Sequence, residues 1–146
     1  MARFEVDGLE KLTLDLEELA KFPAAAQDRM LNAGADVLVK RQRERAEDYG
    51  VEDTGLVINS IKKTGCKVGK DGRSISVYPQ GARTRNGITT QNAEIAFVAE
   101  YGRPGASGHG RIAPRPFIRD ANEDAADEVV EAMSLVYDEE TKKLGL

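Results

Sequence analysis

The chain is predicted to be an α+β protein, and three stretches of sequence predict it. From Pro23 to about Tyr49 no further proline occurs, and Met30, Ala33, Val37, Leu38 and Arg41 follow one face of a long amphipathic helix. After Pro116, which sits where a first helical turn tolerates proline, Phe117, Ala121, Ala125, Val129, Ala132 or Met133, and Val136 make the stripe of a second long helix. Between the two, Thr64, Cys66 and Val68 share one face of a strand and Ile75 and Val77 one face of another. Lys70-Asp71-Gly72-Arg73 joins these strands and carries the Asp-Gly signal of a hairpin turn.

The other elements follow in order. Arg3, Phe4, Glu5 and Val6 alternate polar and apolar as a short strand does. Gly8 then opens a segment with Leu9, Leu12, Leu16 and Leu19 at helical spacing, and Pro23 ends it or starts the next. The long helix closes on Lys40, Arg41, Arg43 and Arg45, which suits the negative end of a helix dipole. Asp53, Thr54 and Gly55 break the pattern, and Leu56 to Ile61 supplies one or two helical turns with Asp53 or Thr54 as the N-cap. The polar stretch Pro79 to Gln91 reads as an exposed hairpin turning at Asn86-Gly87 or as a mobile loop. Asn92 to Tyr101 is either a helix closed by Gly102 or a buried strand, which periodicity over so short a run does not separate. No internal repeat and no linker divides the sequence, so 1–146 is expected to be a single domain with mobile loops near 79–91 and 103–113.

Composition narrows the function classes. A chain of 146 residues, 40% hydrophobic and 32% charged, has the balance of an ordinary soluble domain able to fold without staples. No apolar run nears the roughly 18 residues a membrane span needs, and MARFEVDG has no apolar signal core, so synthesis in the cytoplasm and no membrane partner are expected. A single cysteine excludes an internal disulfide, and one cysteine with one histidine leaves no plausible zinc set. Cys66 reads as a small core residue rather than a nucleophile, since only His109 is available as its base. A net charge of −4 argues against bulk nucleic-acid binding. The average hides an asymmetry. Arg83, Arg85, Arg103, Arg111, Arg115 and Arg119 face only Glu94 and Glu100, whereas the stretch from Asp120 to Glu140 carries acidic charge alone. Such a molecule either presents a solvated acidic helix beside a basic loop region or meets copies of itself head to side.

The stretch from Glu100 to Phe117, EYGRPGASGHGRIAPRPF, interrupts the patterned segments with four glycines, three prolines and three arginines. Its Gly105-Ala106-Ser107-Gly108-His109-Gly110 run reverses the dinucleotide-binding spacing, and no Lys-Ser or Lys-Thr follows to make a triphosphate loop. Ser107 and His109 lack a buried acid to orient the ring, which sets a hydrolase triad aside. The arginines, with Tyr101 and Phe117 at the ends, also suit RNA, against which the acidic flanks argue. Glu100 either pairs with an arginine of its own or a neighbouring subunit or faces water, pairing being the favoured expectation. The loop is expected to be an assembly surface ordered by a partner.

Three short motifs carry a resemblance. Thr54-Gly55-Leu56-Val57-Ile58-Asn59-Ser60-Ile61 is similar to T-G-x-L-x-x-S-I, Ala96-Phe97-Val98-Ala99-Glu100-Tyr101-Gly102 to A-x-x-x-E-[FY]-G, and Pro116-Phe117-Ile118-Arg119-Asp120-Ala121 to P-F-[IL]-x-x-A. In that order, between a basic and an acidic helix, they resemble the tail-completion or head-to-tail joining proteins of long-tailed phages and prophages, over roughly Leu9 to Val136. The resemblance implies a small antiparallel sheet with packed helices, similar to tail-terminator subunits that form rings, commonly of six, between head connector and tail tube. It also implies a structural virion protein without catalysis, cofactor, metal or small-molecule substrate, located at the neck and assembled in the bacterial host cytoplasm. Its partners would be copies of itself, the connector and the tail-tube proteins. Ile95 departs from a frequent aromatic, Arg103 from a frequent Thr after the glycine, and the stretch Arg103 to Ala113 is longer than many versions.

Assembly contacts are expected from Arg83, Arg85, Glu100, Arg103, Arg111 and Arg115, with Thr54, Gly55, Ser60, Tyr101, Gly102, Pro116 and Phe117 as structural motif residues. Gly55 and Gly102 allow turns that a Cβ opposes, Pro116 presets a helix start and Phe117 anchors it. The alternative is a nucleic-acid-binding protein using the arginine-rich loops. Because neither Cys66 nor His109 has recognisable supporting residues, Cys66→Ser and His109→Ala are each expected to leave particle assembly nearly unchanged. Counting joined particles by electron microscopy checks this, and their loss with the fold intact would overturn it.

Overall fold

Two long helices lying antiparallel form the frame. The computed structural model describes residues 2–4, 14–16, 23–51, 55–70, 72–105 and 110–143. Helix α1 spans Ala24–Asp48; after it come α2 (Leu56–Ser60), α3 (Asn92–Tyr101) and α4 (Phe117–Lys143). The strands pair as short antiparallel ribbons: β1 (Ala2–Phe4) with β2 (Leu14–Leu16), β3 (Ile61–Lys63) with β6 (Val77–Pro79), β4 (Lys67–Gly69) with β5 (Gly72–Ser74), and β7 (Ala82–Arg85) with β8 (Ile88–Gln91). The α+β expectation is met, with several small ribbons where one sheet was expected.

The first segment differs from its reading. Leu14–Leu16 is a strand, not part of a helix through Leu9, Leu12, Leu16 and Leu19, because Leu12-Thr13-Leu14-Asp15-Leu16 also alternates with the period of two that suits a strand. Residues 5–13 and 17–22 of the predicted strand and helix lie outside the described residues.

Helix α1 ends close to where it was predicted. Gly50, at φ 57°, supplies the left-handed residue after the last turn, and the N–H groups of Gly50 and Val51 return to the carbonyls of Glu47 and Ala46. Val51 and Ala46 are both buried, which adds the apolar contact that commonly accompanies this ending. The buried face of α1 is Ala26, Met30, Leu31, Gly34, Ala35, Leu38, Gln42 and Ala46, rotated from the predicted stripe, so that Ala33, Val37 and Arg41 are only half-buried. Two residues that a hydrophobic count overlooks cause the rotation. A Cβ on Gly34 would lie 3.1 Å from Met133 and 3.2 Å from Val129, so glycine lets α1 and α4 approach closely. Gln42 donates from Nε2 to Asn122 Oδ1 at 3.0 Å in the buried seam, a polar contact that fixes the register of the two helices.

Charge reinforces the same alignment. Along the seam Arg29 meets Glu140, Arg41 meets Glu128 at 2.7 Å, Arg45 meets Asp124, and the Tyr49 hydroxyl donates to Asp120. Part of the acidic face of α4 is therefore neutralised within the subunit by the basic end of α1, whose arginines do more than complement a dipole. The half-exposed pairs, Arg41 with Glu128 and Arg45 with Asp124, contribute little each, about 0–1 kcal/mol, and mainly select the antiparallel register.

The helix pair encloses one core, Met30, Leu31, Leu38, Ala125, Val129 and Met133 among others, against which Cys66, Ile75 and Val77 pack. At positions 132 and 133 it is Met133 that points inward. The predicted central hairpin forms but carries a fault: Thr64, Gly65 and Cys66 stand opposite only Ile75 and Ser76, an extra residue that bulges the first strand. Beyond the bulge β4 is exposed throughout, so Val68 does not share the buried side with Cys66. The connecting residues are Lys70 and Asp71, of which Asp71 is outside the described residues, and Gly72 already belongs to β5. The stretch 82–91 is a hairpin turned by Asn86 and Gly87, both at positive φ (53° and 77°), as a two-residue type I′ connection requires.

Two carboxylates couple this fold to pH. The Arg73 guanidinium, 2.5 Å from Asp28, and the Tyr49 hydroxyl beside Asp120 hold those carboxyls below the usual aspartate range. Groups with a depressed folded pKa add stability above the unfolded value, about 3.9, and lose it as pH falls through the folded one. The Asp28→Asn/Asp120→Asn double variant should therefore lose less stability than the parent between about pH 6 and about pH 2 in urea titrations. Equal losses would show that these pairs do not drive acid unfolding.

Candidate assembly surface

The three sequence motifs converge on a second core. Val57, Ile58 and Ile61 of the first, Ala96 and Ala99 of the second and Phe117 of the third pack together with Ala46 and Val51 from the end of α1. The backbone at the first motif turns at Gly55, φ 74°, which occupies the N-cap position of α2 expected for Asp53 or Thr54; those two residues lie outside the described ones. Ser60 is buried and returns its hydroxyl to the Val57 carbonyl at 2.6 Å. Arg43 of α1 donates to the Ile61 carbonyl at 2.7 Å and so stabilises the end of α2.

Asn92–Tyr101 is a helix, not a buried strand, and Gly102 closes it. Gly102 has φ 70°, and a Cβ there would lie 2.4 Å from the Ile112 carbonyl oxygen and 2.9 Å from the Pro114 nitrogen. Glycine alone fits, because the two ends of the following loop are drawn together: Arg103 and Ile112 exchange both backbone hydrogen bonds at 3.0 Å. The loop expected over 103–113 is thus a tied excursion between Arg103 and Ile112. Ser107 and His109 fall outside the described residues.

Glu100 has a partner that was not foreseen. Its buried carboxylate accepts from the backbone N–H of Ile118 at 2.9 Å and of Arg119 at 3.0 Å, two of the unpaired amides that open α4. Pro116 precedes this turn and its carbonyl takes the Asp120 N–H at 3.0 Å, which makes it the cap position instead of the first helical residue. An anion over the positive end of a helix is favoured by both the hydrogen bonds and the dipole. Arg115 is occupied in the complementary way, with Nη1 donating to the carbonyls of Tyr49 and Gly50 at 3.1 and 2.6 Å, at the negative end of α1. Two of the expected assembly residues are therefore engaged in holding their own subunit together.

The remaining candidates divide by location. Arg103 and Arg111 are exposed at the ends of the loop. Arg83 and Arg85 share one face of the β7–β8 hairpin opposite Thr90 and Ile88, Arg83 half-buried and Arg85 exposed. They line a shallow cavity of about 290 Å³ together with Asn86 and Ile95. Cys66 is half-buried beside Asn32, and burial, then Asp28, pushes its thiol above the usual value, which keeps it protonated. Among the described residues no group of three or more His, Cys, Asp or Glu could hold a metal, and no helix is long and apolar enough to cross a membrane.

An open groove lies between α3 and the start of α4. Tyr78, Pro79, Phe97, Tyr101, Pro114 and Ile118 line this groove of about 570 Å³ over Ala96 and Glu100, with Arg119 at its edge. Phe97 and Tyr101 are 62% and 66% exposed, and their rings meet at a tilt of 48° with centres 4.7 Å apart. Tyr101, expected as a structural motif residue, points outward beside its neighbour one helical turn back. The spacing of four between two aromatics was legible; which side of the helix they occupy was not. Comparison of the chain with models of known families, with curated proteins and with solved structures gives no match.

Removing the Glu100 carboxylate leaves two amides without their acceptor. Glu100→Ala should cost about 1–3 kcal/mol, and Glu100→Gln should recover part of it. Gly102→Ala should cost more than the roughly 1–2 kcal/mol that a left-handed backbone imposes on a residue with a Cβ, because the obstruction is backbone that cannot swing away. Urea unfolding of the three variants is the measurement, and a Gly102→Ala protein as stable as the parent would contradict the close approach.

Proposed function

We propose that the chain is a structural, non-catalytic virion subunit at the head–tail interface of a long-tailed phage or prophage, where it forms a ring that completes the tail and joins it to the head connector. The observation that carries this reading is the apolar groove at Phe97 and Tyr101. Exposed apolar patches rimmed by polar residues mark protein–protein contacts, and two outward aromatics on one helix are the residues such contacts favour. The motifs similar to those of tail-completion proteins build that groove: the second supplies its wall, the third its edge, and Glu100 clamps one to the other. The tied loop beside it offers Arg103 and Arg111 to acidic partners. Copies of the chain, the connector and the tail tube are the proposed partners, and the neck of the virion the proposed location.

A second reading has its own observation. Arg83 and Arg85 lie on one face of a projecting hairpin that contains no acidic residue, an arrangement suited to phosphates. Binding to nucleic acid that weakens steeply with salt and is lost on Arg83→Ala/Arg85→Ala would favour it.

The neck reading is tested by electron microscopy of the purified protein with tail tubes, and of particles made without it. A ring capping the tail, and free heads and tails in its absence, are expected; one copy at the neck, or normal joining without the protein, would refute it. Replacing residues 104–111 by a short Gly-Ser link, with the Arg103–Ile112 pairing kept, should change stability little, since halving a loop alters closure entropy by only about 0.6 kcal/mol. The same variant should join fewer particles.

A further inference from the structure

The groove needs an occupant, and the distribution of exposed apolar residues selects one. Among the described residues outside the groove, Val68, Ile88, Leu135 and Leu56 protrude, being 73%, 68%, 61% and 51% exposed. Leu56, the least exposed, opens the short α2, whose Val57, Ile58, Asn59 and Ser60 carry no charge to match the groove's rim. Val68 lies between Lys67 and Lys70 opposite Arg73, and Ile88 lies opposite Arg85. Either would bring positive charge to a groove edged by Arg119, with Arg103 two residues beyond Tyr101 and Arg111 three before Pro114. Leu135 differs. Glu131, Asp138 and Glu139, at one turn before and after it on α4, surround it with exposed carboxylates, and none of the three takes part in the seam with α1. The groove's own acid, Glu100, is already engaged by the amides that open α4, and Glu94, exposed a turn before Phe97, is not among its lining residues.

We infer that the outer face of α4 of a second copy of this chain docks in the groove, Leu135 entering between Phe97, Tyr101 and the prolines while its carboxylates meet Arg119, Arg103 and Arg111. The inference deepens the ring reading and rests on it. Leu135 lies seventeen residues along α4 from Ile118 at the groove, about 25 Å at 1.5 Å per residue, so a subunit cannot fill its own groove. The two patches are distinct, and the contact is head-to-side: it repeats from copy to copy and closes only as a ring. Aromatic walls around a single aliphatic side chain, with charge at the rim, match the arrangement that concentrates binding energy at the centre of an interface.

Single-cysteine full-length chains test the pairing directly. Tyr101→Cys and Leu135→Cys, each combined with Cys66→Ser, place one thiol on each patch at exposed positions where the fold is not at stake. On mild oxidation at high concentration the equal mixture should form a covalent dimer that neither variant forms alone, and the chain carrying both cysteines should form a ladder. Added Phe97→Ser should lower the ladder about tenfold or more, as loss of a central contact does, and raised salt should lower it moderately. No dimer in the mixture, dimers of Tyr101→Cys alone, or cross-linking of that cysteine in particles to a connector or tail protein would each overturn the inference. A ring on the tail without the cross-link removes this inference and leaves the neck reading standing. A ladder from purified subunits, with no ring on any tail, removes the neck reading and leaves the contact.

Discussion

The carboxylate of Glu100 on the amides of Ile118 and Arg119 is the contact on which the groove depends. It joins the last turn of α3 to the first turn of α4, and everything between them is a loop whose ends meet at Arg103 and Ile112. A free helix N-terminus in that place would need water, and the wall of prolines beside it would have no fixed distance from α3. With the clamp in place Phe117 is driven fully into the second core while Ile118 and Arg119 turn towards the surface. One acidic residue thereby sets both the start of a long helix and the width of an exposed apolar cleft.

Arg115 performs the opposite operation on α1. Its guanidinium covers the carbonyls left at the end of that helix, so the segment between α3 and α4 is held at one edge by an anion on a helix start and at the other by a cation on a helix end. The long seam of α1 and α4 is aligned by the same kind of complementarity, with Gly34 permitting close approach and Gln42 and Asn122 setting register. What remains after these internal pairings is a surface with a clear division. Glu123, Asp127, Glu131, Asp138 and Glu139 stay exposed on the outer side of α4, and arginines stay exposed around the loop and hairpin.

That division bears on how a subunit of this kind would assemble. Residues used to hold the fold, such as Glu100 and Arg115, are engaged already, and the proposed contact surface consists of Phe97, Tyr101 and the exposed arginines. A partner on that surface would gain burial of aromatic area without breaking the contacts of Glu100 or Arg115, and the ion pair at its rim, Arg119 with Asp120, is exposed and weak. On the proposed reading, stability and contact strength are set by different residues, with Glu100 facing inward and Phe97 and Tyr101 outward on the same helix α3.

The sequence by itself determined the two long helices, the central hairpin and the glycines at 55 and 102, and favoured the Asn-Gly turn over a mobile loop, because each rests on interactions within a few residues: apolar spacing, missing amides and positive φ. It also placed Phe117 and Val129 on the buried stripe correctly. Only the tertiary structure decided that α1 turns its Gly34 and Gln42 inward, since a glycine and a glutamine become core residues only against a facing helix that supplies a close fit or a polar partner. The strand at Leu14–Leu16 was decided in the same way, by pairing with Ala2–Phe4 where two periodicities competed in the sequence. So were the partners of Glu100 and Arg115, which lie on backbone atoms 18 and 66 residues away. A charged side chain announces that it needs a counterpart, but a helix end carries no charge in the sequence, and it becomes the counterpart only when the chain has folded to bring it there.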